Sequence, residues 1–123
     1  MAKYVDGFVI PIKKKNIKEY KTMATLGCKV WMEHGALEYY ECVGAVLNHP
    51  WGIPFEKFAK LKKDETVIFA YVVYKSKAHR DSVMKKVMTD KRMAPENWKG
   101  KKLPFDMKRY TVGEFDVLVS KQA

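Results

Sequence analysis

The residues best able to do chemistry crowd into one short stretch, Tyr74-Lys75-Ser76-Lys77-Ala78-His79-Arg80-Asp81. Ser76 is a favoured helix N-cap type, so the residues after it read as a helix's first turn. Helix N-termini carry partial positive charge and favour acids. This one presents Lys75, Lys77, His79 and Arg80, with Asp81 as the acid. That is unfavourable unless an anion answers it, and free amides beside a guanidinium would hold a carboxylate or phosphate. His79 in such a field is expected to lose its proton readily and to suit a general base. Tyr74 is expected to orient a substrate or supply a proton. The competing expectation is structural: Arg80 pairs with Glu38 or Asp81, and His79 satisfies a backbone carbonyl.

Other chemistry-bearing side chains are scattered. His34 precedes Gly35 at the end of a helical pattern, where the helix dipole alone accounts for a histidine. Glu38 stands as its partner or as an acid of the site. Asp6 interrupts an apolar strand and matters if it points inward. The expected set is thus His79 and Tyr74 as catalytic residues, with Arg80, Ser76, His34, Glu38 and Asp6 binding a small anionic ligand. No metal is expected, because Cys28, Cys42, His34, His49 and His79 match no ligand spacing. The cysteines read as reduced thiols of a cytoplasmic protein. Cys42 has no visible base to make it a nucleophile, and a buried cysteine there would be inert. The sequence names no cofactor: His34 and His79 are the candidate haem ligands, without a pattern that supports either.

These residues must be positioned by six elements. Residues 4–12 alternate as a strand, with Pro11 expected near its end or on an edge. Asn16 and Glu19 resemble a capping box opening a helix through Ile17, Tyr20, Met23, Ala24, Val30 and Trp31, which Gly35 stops. Strands follow over 36–47 and 65–75, separated by turn chemistry at 48–52 and a short helical turn over 54–60. A second helix runs from Ser76 to 88 or 89, with Val83/Val87 and Met84/Met88 along its buried side. The last strand covers 110–120. Met23, Trp31 and Met84 read as core material by their spacing. The order β-α-β-β-α-β predicts an α+β, ferredoxin-like antiparallel sheet with two helices on one face, in a single domain over 1–123. It also sets His34, Glu38, Tyr74, Ser76, His79, Arg80 and Asp6 at one end, and Asp106 and Arg109 at the other.

The third strand is apolar on both parities. Val67, Phe69, Tyr71 and Val73 point one way, and Ile68, Ala70, Val72 and Tyr74 the other. Two helices cover one face, and a bare aromatic face is a large sticky patch. Sheet-to-sheet homodimerisation into a dimeric α+β barrel is therefore expected. No run of about 18 apolar residues implies a membrane span, and the N-terminus lacks the apolar core of a secretory signal.

Several motifs also look familiar. Tyr4-Val5-Asp6-Gly7-Phe8-Val9, Trp31-Met32-Glu33-His34-Gly35-Ala36-Leu37-Glu38-Tyr39, Glu41-Cys42, Tyr74-Lys75-Ser76 with His79-Arg80-Asp81, and Pro104-Phe105-Asp106 with Lys108-Arg109 resemble the YbaA-like family. That is an uncharacterised bacterial family of the dimeric α+β-barrel superfamily, and the resemblance spans nearly the whole chain in order. It implies the fold. The superfamily holds monooxygenases, haem-degrading enzymes, lactone isomerases and plain binders, and shared fold transfers none of these activities. The sequence departs from the family pattern at Val43-Gly44-Ala45, where acidic residues are usual, and at Glu114, where a second glycine is usual. An acidic function at the end of the second strand is therefore not expected.

The 24 basic residues outnumber 14 acidic ones, and lysines cluster at 13–15, at 60, 62 and 63, and at 99, 101 and 102. Such a field attracts nucleic acid or small anions, although loop lysines also serve solubility alone. RNA binding on the sheet is disfavoured. Phe69-Ala70-Tyr71-Val72-Val73-Tyr74 echoes the aromatic signature of ribonucleoprotein domains, but the basic-glycine start and the matching first-strand aromatics are missing. Three functions remain: an enzyme or binder of a small anionic molecule, a non-catalytic dimeric regulatory or stress protein, and, least favoured, an RNA binder.

Overall fold

The computed structural model describes residues 2–123. Four antiparallel strands form one sheet in the order β2-β3-β1-β4. They are β1 Tyr4–Lys13, β2 Glu38–Val43, β3 Glu65–Tyr74 and β4 Thr111–Asp116. The helices are α1 Ile17–Glu33, a four-residue α2 Phe55–Phe58, and α3 Lys77–Met88. This is the ferredoxin-like α+β arrangement expected from the element order. No helix among the described residues is long and apolar enough to cross a membrane.

The register fixes which side chains share a face. Asp6 stands opposite Val72, Phe8 opposite Ala70, and Ile10 opposite Ile68. Cross-strand partners point the same way, so these residues face α1 and α3 together. Ile10, Ile12, Tyr20, Ala24, Ile68 and Ala70 form one buried cluster. Val30, Ala36, Val72, Tyr74, Val83 and Val87 form the other. Pro11 meets the expectation for its missing donor. β4 pairs with β1 only over Tyr4–Val9, so Pro11 lies past the end of that pairing.

The opposite face of the sheet carries no helix. Tyr40 stacks on Tyr71 with ring centroids 5.0 Å apart, and Phe69 packs 5.9 Å from Tyr71. On the β4 side the Phe115 ring lies over Gly7, where an added Cβ would sit 2.9 Å from it. Phe69, Tyr40 and Phe115 stay 47%, 47% and 56% exposed, so the described residues leave these rings half open to solvent.

Several expectations need correction. Asn16 makes no capping bond. A 3-10 turn, Lys14–Asn16, leads into α1 instead, and the Asn16 amide donates to the Pro104 carbonyl at 3.1 Å. β2 and β4 are shorter than the apolar patterns suggested. β2 gives out at Gly44, whose amide still donates to the Val67 carbonyl at 2.8 Å and where an added Cβ would fall 2.8 Å from Leu47 and Thr66. Beyond β4, Leu118 and Val119 are exposed. On α3, Val83 and Val87 are buried but Met88, one position further round the helix from Val87, faces solvent. Cys42 is exposed rather than buried, since it lies on the helix-free face opposite Phe69.

Core and surface positions are expected to separate in unfolding experiments. Ile12→Ala removes a side chain that is 1% exposed and is expected to lower unfolding free energy by about 2–5 kcal/mol in urea titrations. Met88→Ala is expected to stay within about 0.5 kcal/mol of the parent.

Candidate functional site

α3 begins as its sequence suggests. Ser76 is extended, and its hydroxyl accepts the His79 amide at 3.1 Å. The Lys75 amide donates to His79 Nδ1 at 2.9 Å. The histidine thus returns a capping bond much as Glu does in a capping box. Because Nδ1 accepts, the proton of the neutral ring sits on Nε2, which turns toward Gly35. Gly35 holds φ +111, a conformation suited to glycine, and this places the end of α1 against α3. The expected partner of His79 was a backbone carbonyl; the observed one is an amide, and the lone pair a base would use is engaged by it.

The anion that answers the basic helix start comes from the chain itself. Asp6 does point inward and is 2% exposed. Arg80 Nε donates to its two oxygens at 3.1 and 3.2 Å, and the Tyr74 hydroxyl donates to Oδ2 at 2.9 Å. Trp31 Nε1 in turn donates to the Tyr74 oxygen at 3.2 Å. The far side of the guanidinium meets Asp81 at 3.2 Å and Glu114 at 3.6 Å. Tyr4 donates to Glu114 at 2.8 Å. Burial first, then the Asp6 charge and the bond donated to it, push the Tyr74 phenol far above its ordinary range. A phenol so placed is a poor proton donor near neutrality.

The structure therefore brings Asp6, Tyr74, Ser76, His79 and Arg80 together, as the sequence placed them. It does not bring in Glu38, which lies opposite Val73 on the helix-free face. Nor does it pair His34 with Glu38. His34 Nε2 meets Asp90 at 2.8 Å in the turn after α3. Arg92 bonds the same carboxylate at 2.8 Å and reaches Glu33 at 3.2 Å, tying the end of α1 to that turn.

Two further networks were not anticipated. Glu41 accepts from the Tyr20 hydroxyl at 2.7 Å and the Tyr39 hydroxyl at 2.8 Å. Burial, and then this carboxylate, push both phenols well up. Strand parity was the available signal, since it puts Glu41 on the helix side of β2. At the other end Arg109 forks onto Glu65 at 2.6 and 2.8 Å. Those bonds, with the Lys62 amide, lower the Glu65 carboxyl to about 2. Among the described residues every buried side-chain nitrogen and oxygen has a partner, and no three His, Cys, Asp or Glu gather in a metal-holding group.

Comparison with known proteins bears on family and fold. Residues 3–107 match a family model described as a protein of unknown function, DUF1428. The chain belongs to the DUF1428 family. The uncharacterised protein YbaA of Escherichia coli K12, and its counterpart in Shigella flexneri, are each 33% identical to it over 119 residues, spanning 97% of this chain and 99% of theirs. The resemblance seen in the motifs is thereby upheld. Among solved structures, a dimeric ferredoxin-like protein from an uncultured marine organism superposes with a TM-score of 0.57 at 12% identity, covering 98% of this DUF1428 chain and 100% of that one. That likeness speaks to the fold.

Two measurements probe these networks. Arg80→Gln leaves the buried Asp6 carboxylate without its counter-charge and is expected to cost about 3–5 kcal/mol in urea unfolding. Asp6→Asn in the same background should recover part of that loss. For Glu65 the folded pKa lies below the ordinary 4.5. Its stabilisation is thus fully present above about pH 4.5 and fades as pH falls toward 2. The stability gap between the parent and Arg109→Gln should narrow over that window in urea titrations run at stepped pH.

Proposed function

We propose that this protein works as a homodimer joined through the helix-free face of its sheet, and that it acts by binding rather than by catalysis at the Asp6–Tyr74–Arg80 cluster. The carrying observation is the exposed aromatic surface of Phe69, Tyr40 and Phe115, continuous with Tyr71 across all four strands. Water around such a surface favours its burial. The middle of the face carries no lysine or arginine. Lys13 stands at its far end, opposite Glu65. A nucleic acid stacking there would find lysines only at the ends of the face, whereas a second copy offers the same apolar surface in return. The marine ferredoxin-like neighbour is itself described as dimeric.

The absence of catalysis at the cluster rests on occupancy. Asp6 accepts from Tyr74 and from Arg80 Nε, and His79 Nδ1 accepts from the Lys75 amide, so the groups a substrate would need are already engaged within the chain. A substrate anion would have to displace a carboxylate that is already desolvated and fixed in place.

The homodimer reading predicts linked folding and association. The thermal midpoint of the parent should rise with protein concentration, because mass action favours the assembled native state. Phe69→Lys should lower the midpoint and abolish its concentration dependence. A midpoint that is independent of concentration in both proteins would rule the assembly out.

A further inference from the structure

Three lysine clusters lie far apart in the chain, at 13–15, at 57–63 and at 99–102. The fold brings them to one end. The first follows β1, the second precedes β3, and the third lies in the long connection to β4, so all three occupy the end opposite the start of α3. The segments 13–15, 56–65 and 99–109 hold twelve of the 24 basic residues but four of the 14 acidic ones. Most of the chain's net positive charge is therefore concentrated here.

The loops are stitched to one another pairwise. The Lys14 amide donates to the Asp64 carbonyl at 3.0 Å, joining the first to the second. Asn16 donates to the Pro104 carbonyl at 3.1 Å, joining the first to the third. Arg109 donates to the Lys60 carbonyl at 2.8 Å and forks onto Glu65, joining the third to the second. Lys60 is held at φ +52, a conformation rare for a residue with a Cβ. This stitching uses backbone groups, an amide and one self-neutralised ion pair, and it leaves the lysine ammonium groups out. Among the described residues, none of the lysines at this end lies within 4.0 Å of a carboxylate.

Between the loops lie two adjoining clefts. One of about 680 Å³ is flanked by Lys14, Lys57, Lys60, Lys62 and Lys63. The other, about 260 Å³, is flanked by Lys13, Lys15, Lys62 and Lys102. Lys62 and the Glu65–Arg109 pair stand at their junction. Glu56 also lines the larger cleft and Asp106 the smaller, so each is lined by more basic than acidic side chains rather than by basic ones alone. Ammonium groups are compact donors suited to phosphate as point charges.

We propose that this end is a binding site for a small molecule carrying two or more phosphate groups, which spans the two clefts across Lys62. The paired carboxylate of Glu65 does not oppose the ligand, because Arg109 already neutralises it. Positive charges held together on fixed loops repel one another, and a multivalent anion relieves several of these repulsions at once. The site lies within one chain and does not depend on the sheet-to-sheet dimer, so the two readings fail separately.

The test is calorimetric titration of the full chain with inorganic tripolyphosphate at fixed ionic strength. The expected result is saturable binding at one site per chain, at least tenfold tighter than orthophosphate. Lys14→Gln with Lys62→Gln should weaken it tenfold or more. The charge-matched control, Lys29→Gln with Lys75→Gln, removes two exposed lysines from the opposite end and should leave it within twofold. Thermal melts verify that both variants remain folded. Absence of saturation, or equal weakening by the control pair, would overturn the site in favour of a diffuse field. Displacement of tripolyphosphate by a single-stranded oligonucleotide, with affinity rising with its length, would assign the surface to nucleic acid and overturn the small-molecule proposal.

Discussion

β3 is the strand on which the architecture depends, because it is apolar on both faces and lies between β2 and β1. One face meets α1 and α3 through Ile68, Ala70, Val72 and Tyr74, which are all buried. The other face meets no helix. Val67 and Val73 are shielded by their surroundings within the chain, but Phe69 between them is half exposed. A single layer of helices buries one side of a sheet, so the second side is left for another molecule to cover. The proposed homodimer follows from that imbalance.

The polar groups behave differently, for the chain neutralises them internally. The basic start of α3 is met by Asp6 from β1, with Asp81 and Glu114 around the rim of Arg80. His34 is met by Asp90, and Arg109 by Glu65. Each pair ties a helix end or loop to an element distant in sequence, and this suits such pairs to setting how elements dock. Glu114 belongs to the first cluster, where it accepts from Tyr4 and faces Lys77 and Arg80. The lysines at the opposite end are the exception, since among the described residues none of them pairs with a carboxylate within 4.0 Å.

The strength of each sequence signal explains what was legible. Period-two alternation in β3 and 3.6-residue spacing in α1 are long patterns, and both elements lie where these patterns put them. Ser76 and Gly35 act through local backbone chemistry and were equally readable. Asn16 misled because its side chain is turned to donate to the Pro104 carbonyl, 88 residues away, a tertiary contact no local rule sees. The site shows the same division. Topology gathered Asp6, Tyr74, His79 and Arg80 correctly, yet whether Arg80 awaits a ligand or holds Asp6 depends on the direction of one β1 side chain. Glu38 lies at the expected end of the sheet, but its register opposite Val73 turns it to the face without α1 and α3, away from the cluster. The convergence of the lysine loops is a tertiary fact, visible once the strand directions are known.

The claim on which most of this rests is that the aromatic face of the sheet is covered by a second copy of the chain. Sedimentation equilibrium of the unmodified protein at micromolar concentration tests it most directly. A mass of two chains is expected, dissociating, if at all, only on dilution. A single-chain mass throughout, with the protein folded and free of aggregation, would contradict it.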